Sequence, residues 1–586
     1  MSSDTNPTPD TPESAETTKA AEAAEATESA ESAESAESAE SAESVALIRE
    51  LEAAGVELWE DNGRIRFRAP RGALTEARKE ALRADRDGVI AALRKAAIPV
   101  SAVPDPQSRY DPFPLTDVQS AYLLGRYDAF GLGGVGCHSY SEVHYPTLDP
   151  GRTEDAWNRL IARHDMLRCV LSTDGHQQVL PEVARYRIAV DDLRGRSPEE
   201  RLRALGATRA ELDHRMADPA AWPLFELRIT RTDDEDILHV SFDSLIADWS
   251  SAALLMHELE TLVADPAAEL PTPAITFRDY VLAERELRDG ARHQRDRDYW
   301  FGRVDDLPSA PDLGYLDRDG GEARFARHHR RLPRAQWRVL CEAAGRHGLT
   351  PTAAVLSAYA VVLQRWSGNS RFTLDLTLLN RLDLHPDVGL VVGDFTSVSL
   401  LAVERPGRSS FAEYAAAVQA QLAEDLNHRL CSGVEVLREV ARRRGREAAR
   451  MPVVFTSGIG AGPPASATSG RQGEGLTQTP QVALDCQVAD DEEGLRIDLD
   501  TRVGALPDGL VPDLADALLD LLSRLVEEEI WAGRVSSAEL VPLPTWQRAE
   551  RAEANRTSAP IEARPLHAAV LEQARRAPGA PAGITS

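Results

Sequence analysis

Residues 237–263, ILHVSFDSLIADWSSAALLMHELETLV, constrain the local fold more than any other stretch of the sequence. Apolar and polar residues alternate from residue 238 to 242, which predicts a strand. Leucines then recur at helical spacing from residue 254 to 262, which predicts an amphipathic helix. The strand is therefore expected to end near Asp243, and the helix to begin near Asp248.

Three roles are open to the two carboxylates at this turn. A metal site would need a third ligand, but His239 lies on the strand and His257 on a distant turn of the helix. A general acid and base pair would have to face one cleft. In a structural role, Asp243 would pair with a buried arginine, while Asp248 or Ser250 caps the helix. We favour the structural role because it needs no further residue.

The chain has 586 residues, 42% of them hydrophobic, which is enough for several domains with their own cores. Residues 1–44, with repeated ESA triplets, carry twelve acidic residues and one lysine, or −11 of the net charge of −28. We predict that this segment is a disordered, solubilising leader. The remaining net charge of −17 argues against a nucleic-acid partner.

The five cysteines occur singly, without a CxxC pair. This pattern argues against metal centres and a disulfide framework, and it indicates a reducing compartment. No apolar run reaches transmembrane length, and the N-terminus lacks the features of a signal peptide. We therefore expect a cytoplasmic protein that binds neither a metal nor a membrane.

Residues 45–98 have the pattern of a small module. A short helix precedes two alternating strands around Asn62-Gly63, a strong hairpin signal, and two helices follow, with Thr75 as a candidate N-cap. Three arginines share one face of the second strand: Arg64, Arg66 and Arg68. They could bind an acidic peptide that adds to the hairpin edge, or they could be the solvated face of a small cap. The residue pattern leaves both interpretations open.

The stretches AGVELW, RIRFRAP, GALT and AALRK, in this order, resemble the TubC-type N-terminal docking domain of nonribosomal peptide synthetases. That family receives the C-terminal tail of an upstream synthetase subunit. The resemblance implies an α+β docking domain over residues 45–98, with the three arginines as candidate contacts to that tail.

The turn FDSLIADWSS resembles part of a second family. Condensation domains of these synthetases carry HHxxxDG here, whereas Asp243, Asp248 and Ser251 match the DxxxxDxxS signature of heterocyclization domains. Five further motifs are similar to those of heterocyclization domains and occur in the same order. They are FPLTDVQSAYLLGR (113–126), RHDMLR (163–168), LLNRLDLHPDVGLVVGDFTS (378–397), PVVFTS (452–457) and TQTPQVALDCQV (477–488).

These motifs identify further candidate residues. The resemblance places five of them in the active-site motifs: Arg163, Arg168, Asn380, Asp394 and Gln481. Either Arg163 or Arg168 is our candidate for the buried cation beside Asp243. The apolar stripe in residues 353–363 is expected to be core.

The resemblance implies an α/β fold in which two chloramphenicol-acetyltransferase-like lobes form a V-shaped pseudodimer around a tunnel. We expect the N-lobe at residues 108–285 and the C-lobe at residues 286–545. Residues 546–586 resemble a linker and the beginning of an adenylation domain, which we expect to be truncated.

The resemblance also implies a two-step reaction on substrates carried by phosphopantetheine arms, with no cofactor bound by the domain itself. An upstream acyl thioester is condensed with carrier-bound Cys, Ser or Thr, and the product is cyclodehydrated to a thiazoline or oxazoline. A carboxyl group can serve the second step as acid and base in turn. In the family this chemistry falls to an Asp and a Thr that match Asp485 and Thr456.

At two positions the chain departs from the family's WLDHQ sequence, with Ala483 and Cys486 in place of the aromatic residue and the histidine. This change predicts a roomier, less basic pocket around Asp485 and leaves cyclization competence open. The alternatives are a condensation domain that stops at the amide and a non-catalytic docking scaffold. The expected partners are an upstream subunit tail, donor and acceptor carrier domains, and a downstream adenylation domain.

Overall fold

The fold is given by a computed structural model of the chain. The structure describes residues 44, 47–48, 51, 56–61, 64–68, 75–90, 100–127, 131–316, 323–404, 409–460, 470–535, 540–557, 565 and 567–581. The predicted leader lies outside the described residues except for Ser44. Within the described residues, no helix is both long enough and apolar enough to span a bilayer.

The described part of the docking region contains a hairpin and a helix. Strand β1 (Glu57–Asp61) pairs antiparallel with β2 (Arg64–Arg68), as the Asn-Gly signal predicts, although the turn itself lies outside the described residues. Helix α1 (Glu76–Ala84) is capped by Thr75, whose hydroxyl accepts from the Arg78 N–H at 3.4 Å. The small core consists of Ile48, Leu51, Val56, Leu82 and Val89.

Two larger lobes follow. The elements of the first lobe are β3 (Phe113–Pro114), α2 (Asp117–Gly125), β4 (His138–Tyr145), α3 (Pro150–Arg163), β5 (Cys169–Leu171), β6 (His176–Val179), β7 (Ala189–Asp192), α4 (Pro198–Leu212), β8 (Phe225–Arg231), β9 (Asp236–Asp243), α5 (Trp249–Ala264) and α6 (Phe277–Leu287).

The remaining elements form the second lobe and the C-terminal segment. They are α7 (Ala291–Arg303), β10 (Phe325–Pro333), α8 (Arg334–Arg346), α9 (Pro351–Ser367), β11 (Arg371–Leu379), β12 (Thr396–Glu404), α10 (Phe411–Asn427), α11 (Gly433–Arg444), β13 (Val453–Ser457), β14 (Arg471–Gln478), β15 (Leu484–Asp491), β16 (Gly494–Arg502), α12 (Leu510–Arg524), α13 (Glu528–Trp531), α14 (Thr545–Ala554) and α15 (Ala568–Arg576).

Each lobe has its own sheet and its own core. The first sheet has the strand order β14-β4-β9-β8-β7, and the second has the order β10-β16-β15-β13-β11-β12. Strand β13 runs parallel to its neighbours β11 and β15, while the other pairs of the second sheet are antiparallel. The predicted α/β class is confirmed.

The two lobes exchange segments. The predicted boundary at residues 285/286 falls inside α6, and residues beyond it return to the first lobe. Leu382, Val388 and Phe395 pack in the first-lobe core. Strand β14 also crosses over and pairs with β4, at the edge of the first sheet. A single cut in the sequence therefore does not separate the lobes.

The second sheet has one apolar face. Leu376, Phe455, Cys486 and Leu499 lie side by side on neighbouring strands and pack in the core with α9. The predicted stripe in α9 is buried throughout: Ala353, Val355, Leu356, Tyr359, Val362 and Leu363. Because strand side chains alternate, the residues between these belong to the opposite face.

Candidate active site between the two lobes

Asp243 is buried at the end of β9, as the sequence predicts. Its Oδ2 forms an ion pair with the Arg126 guanidinium, and its Oδ1 accepts from the Leu245 N–H at 3.1 Å. Arg126 directly follows α2 and also donates to the carbonyl of Ala217 at 2.5 Å. Asp243 therefore ties the end of α2 to the end of β9.

The prediction that Arg163 or Arg168 pairs with Asp243 was wrong. Arg163 pairs with Glu258 at 3.3 Å, and Arg168 pairs with Asp165 at 2.8 Å. Glu258 lies nine residues beyond the start of α5, roughly 13 Å along its axis. Arg163 therefore binds the middle of α5 rather than the turn before it. Arg126 is the last residue of the first motif, and this position is the signal that could have found it.

Asp248 caps α5 as predicted, because its Oδ1 accepts from the Ser251 N–H at 2.7 Å. It also lies 3.2 Å from the Arg381 guanidinium, and its Oδ2 accepts from the Phe395 N–H at 3.3 Å. Arg381 packs over the Phe395 ring, 4.0 Å from its centroid. The cap is thus also an ion pair to the segment that follows β11.

Ser251 completes this connection. Its hydroxyl donates to the Gly393 carbonyl at 2.7 Å and accepts from the Gly393 N–H at 3.0 Å. It also accepts from Arg381 at 2.8 Å. Asp248 and Ser251 therefore hold the segment of residues 380–395 in place. Arg381, next to the predicted Asn380, was missed by sequence reasoning.

Asn380 and Asp394 lie at the two ends of this segment. Asp394 is fully buried, and burial raises its pKa to about 8, with the carboxylates of Asp248 and Asp243 adding to the shift. Its Oδ1 accepts from the Thr396 N–H at 3.1 Å. Within the described part of the chain, Oδ2 of Asp394 and Oδ1 of Asn380 have no hydrogen-bond partner.

The second sheet carries two rows of mostly polar residues on the face opposite its core. The strand register places one row across β10, β16, β15, β13 and β11: Arg327, Asp500, Asp485, Val454 and Asp375. The adjacent row consists of His329, Asp498, Gln487, Thr456 and Thr377. We call these ten residues the polar face.

The polar face is turned toward the first lobe. The backbone N–H of Thr477, on the crossed-over β14, donates to Oδ2 of Asp500 at 2.9 Å. Burial keeps the pKa of the Tyr122 phenol, in α2, above its ordinary value, and Cys137 and the charges of Asp394 and Asp485 add to this shift. The site is therefore built from both lobes.

Asp485 and Thr456 lie together on the polar face. The Thr456 hydroxyl donates to Oδ1 of Asp485 at 3.2 Å and lies 3.0 Å from the Thr377 hydroxyl. The Gln487 side-chain amide donates to Oδ2 of Asp485 at 2.7 Å. The candidate pair identified from two separate motifs is thus brought into contact, because β13 and β15 are neighbours.

Burial raises the pKa of Asp485 to about 6. The negative charge of Asp500 adds to this shift, whereas hydrogen bonds from Gln487 and Thr456 and the charge of Arg327 oppose it. A carboxyl group with a pKa near neutrality can both give and take a proton during one reaction.

The two departures from the family's pattern differ in their relation to the Asp485 carboxyl. Cys486 is fully buried in the core on the apolar face, between Phe455 and Leu499. Ala483 precedes β15 and packs in a small apolar cluster with Leu132 and Ala505. The expectation of a less basic pocket is therefore wrong for Cys486, and the expectation of a roomier pocket at Ala483 stays a prediction.

The side chain of Gln481 is exposed, and the contact that Gln481 makes with the first lobe is through its backbone. It has a left-handed conformation, with φ of 67°, and its N–H donates to the Leu132 carbonyl at 3.0 Å. The preceding Pro480 lies so close to Gly125 that a Cβ on this glycine would come within 2.2 Å of the proline Cβ. This contact joins the end of α2 to the β14–β15 connection.

Of the three arginines predicted to contact a partner, Arg66 is exposed on β2. The side chains of Arg64 and Arg68 lie outside the described residues.

Comparison with known proteins identifies the large module. Residues 135–454 match the Condensation domain family. The chain belongs to this family. Residues 45–95 match the TubC N-terminal docking domain, so the order of the two modules also agrees with the sequence prediction.

Relatives of this condensation domain include larger synthetases. The chain is 40% identical to pyochelin synthetase PchF of Pseudomonas aeruginosa over 82% of its own length and 27% of that protein. It is 37% identical to phenyloxazoline synthase MbtB of Mycobacterium tuberculosis over 81% of its own length and 34% of that protein. The chain thus spans about a quarter to a third of the length of these relatives.

A solved structure covers both modules. The NRPS cyclization-docking bidomain of EpoB from Sorangium cellulosum is 35% identical, with a TM-score of 0.71. The match covers 82% of this chain and 97% of that one. The similarity therefore extends over the docking segment and both lobes.

Proposed function

We propose that the condensation domain is a heterocyclization catalyst. It would join a carrier-bound acyl thioester to carrier-bound Cys, Ser or Thr and cyclodehydrate the product to a thiazoline or oxazoline. The observation that carries this proposal is the contact between Thr456 and Asp485 on a face enclosed by both lobes. The similarity to the EpoB bidomain supports it over most of the chain.

The first step needs mainly positioning. The amine attacks the thioester carbonyl, and the thiol of the donor arm leaves. Because a thioester is already activated, holding the two ends together in an enclosed site can supply most of the acceleration. This requirement is compatible with the absence of the HHxxxDG histidines from the turn after β9.

The second step needs proton transfer. The Cys thiol, or the Ser or Thr hydroxyl, attacks the new amide carbonyl and gives a hemiaminal, which then loses water. Asp485 would move the protons, because its raised pKa allows both protonation states near neutral pH. Thr456 would orient the carboxyl group through its hydrogen bond to Oδ1.

Asp243, Asp248 and Ser251 have a structural role in this proposal. Their contacts are with Arg126, Arg381 and the Gly393 backbone, which leaves the proton chemistry to the second lobe. Arg163 and Arg168 likewise serve the packing of α3 and the turn that follows it.

The partners follow from the modules. The docking domain would bind the C-terminal tail of an upstream subunit, with Arg64, Arg66 and Arg68 as contacts to acidic residues of that tail. Donor and acceptor carrier domains would present substrates on phosphopantetheine arms. A downstream adenylation domain would load the acceptor carrier.

The test measures the intact mass of a cysteine-loaded acceptor carrier after reaction with an acyl-loaded donor carrier. The expected wild-type product is the amide less one water. Asp485→Asn should still form the amide but should slow the loss of water by at least about 100-fold, the lower range for a general acid or base. Asp490→Asn is the matched control, since this partly exposed carboxyl group lies on the same strand.

Other outcomes would favour the alternatives. Wild-type protein that stops at the amide would be a condensation domain. No transfer, with carriers that react in another synthetase, would leave only the docking role. Full water loss by Asp485→Asn would refute the assignment of Asp485 while leaving heterocyclization intact.

A further inference from the structure

Asp375 lies on the polar face in the same row as Asp485, on the other side of β13. The strand register places Val454 of β13 directly between them, with Asp375 on β11 and Asp485 on β15. Since neighbouring strands are about 4.8 Å apart, the Cα atoms of the two aspartates lie roughly 10 Å from each other. Val454 is absent from the apolar core of the lobe, in agreement with its place on the polar face. A substrate above Val454 would have one carboxyl group on each side.

Asp375 differs from Asp500, the third acid of this row. Both oxygens of Asp500 bind Arg327, at 2.7 and 2.6 Å, and Oδ2 also accepts from the Thr477 N–H. Oδ1 of Asp375 is buried and has no hydrogen-bond partner among the described residues. A buried carboxylate oxygen without a donor favours the protonated acid, and a hydrogen bond from the Leu376 backbone opposes this effect only in part.

The neighbours of Asp375 explain its protonation. Leu400 of β12 and Val454 of β13 flank it in the sheet and carry no charge. Asp485 is the charged side chain that acts on it, and burial together with this negative charge raises the pKa of Asp375 to about 7. Near neutral pH a large fraction of Asp375 therefore holds a proton that it can donate.

Loss of water from a hemiaminal needs two proton movements. The departing hydroxyl must gain a proton, while the ring nitrogen must lose one as the C=N bond forms. A single carboxyl group would have to serve both sides of the carbon in turn. Two carboxyl groups on opposite sides, one protonated and one ionised, can act in the same step.

We propose that Asp375 is a second catalytic residue, the acid that protonates the departing hydroxyl while Asp485 accepts the proton from nitrogen. This inference rests on the proposed heterocyclization. The C–O bond breaks, the C=N bond forms and water leaves. Asp375 ends as a carboxylate and Asp485 as an acid, and proton exchange with solvent restores both.

The test compares Asp375→Asn with the wild type in the carrier assay and follows amide formation and water loss separately. Asparagine keeps the shape of the side chain but has no acidic proton. The amide should form at the wild-type rate, and water loss should slow by about 100- to 1,000-fold. Asp490→Asn should match the wild type in both steps, and equal melting temperatures would show that Asp375→Asn is folded.

The pH dependence of water loss gives a second measurement. In the wild type, its rate should fall as pH rises through about 7, because Asp375 loses its proton. This alkaline fall should be absent from Asp375→Asn. A purely structural role would not remove it.

The possible failures are distinguishable. If the wild type never loses water, the proposed heterocyclization fails, and this inference fails with it. If the wild type cyclizes and Asp375→Asn cyclizes equally fast, only the assignment of Asp375 is overturned. A wild-type rate that does not fall above about pH 7 would overturn it as well, even if Asp375→Asn did not fold.

Discussion

Replacing Arg126 with methionine should destabilise the first lobe by about 3–5 kcal/mol, the usual cost of leaving one partner of a buried ion pair alone. Both side chains are enclosed, with 8% of Arg126 and 2% of Asp243 exposed, so solvent would screen little of the loss. Methionine keeps much of the apolar volume. Among the described residues, the substitution would leave the Leu245 N–H as the hydrogen-bond donor to Asp243, and it would remove the Arg126 donor from the Ala217 carbonyl.

A double-mutant cycle isolates this pair. Asp243→Asn alone should also be costly, because it leaves the guanidinium buried and unpaired. The combined substitution removes both charges and should cost at least about 2 kcal/mol less than the sum of the single changes. Urea unfolding followed by tryptophan fluorescence would report these values, since Trp157 is buried in the first-lobe core.

The matched control is Arg185→Met, which removes an exposed ion pair to Asp155 in the same lobe and should cost less than about 1 kcal/mol. If Arg126→Met cost no more than this control, the buried ion pair would not stabilise the first lobe. Additivity of the two changes within about 0.5 kcal/mol would show that Arg126 and Asp243 do not interact.

Two further predictions concern other buried groups. Because the pKa of Asp394 is raised to about 8 in the folded protein, its stabilising effect is complete below its ordinary pKa of 3.8 and is lost as pH rises toward 8. Over this pH range, the free energy of unfolding of Asp394→Asn, measured in urea, should therefore fall less than that of the wild type. If both free energies depended on pH in the same way, the raised pKa of Asp394 would be contradicted. Cys486→His, which introduces the family's usual residue, should destabilise the second lobe by at least about 2 kcal/mol, because the imidazole would enter the apolar core. A melting temperature equal to that of the wild type would place the side chain on the polar face instead.

The sequence by itself was sufficient for several features. The spacing of the apolar residues changes between residues 238 and 262, and this change located the end of β9 and the start of α5. Strands and helices bury side chains at different spacings. The cap at Asp248 followed from the need of free helix N–H groups for an acceptor. The resemblance of the last two motifs to those of heterocyclization domains implied that Thr456 and Asp485 act in one site, although they lie 29 positions apart.

Only the tertiary structure decided which residues meet. Arg126, rather than Arg163 or Arg168, reaches Asp243, because the end of α2 packs beside the end of β9. Cys486 faces the core, whereas its neighbour Asp485 faces the site, a difference set by strand alternation within the assembled sheet. Asp375 joins Asp485 only because β13 inserts between β11 and β15. Such contacts depend on how distant strands pair, and local periodicity carries no information about that pairing.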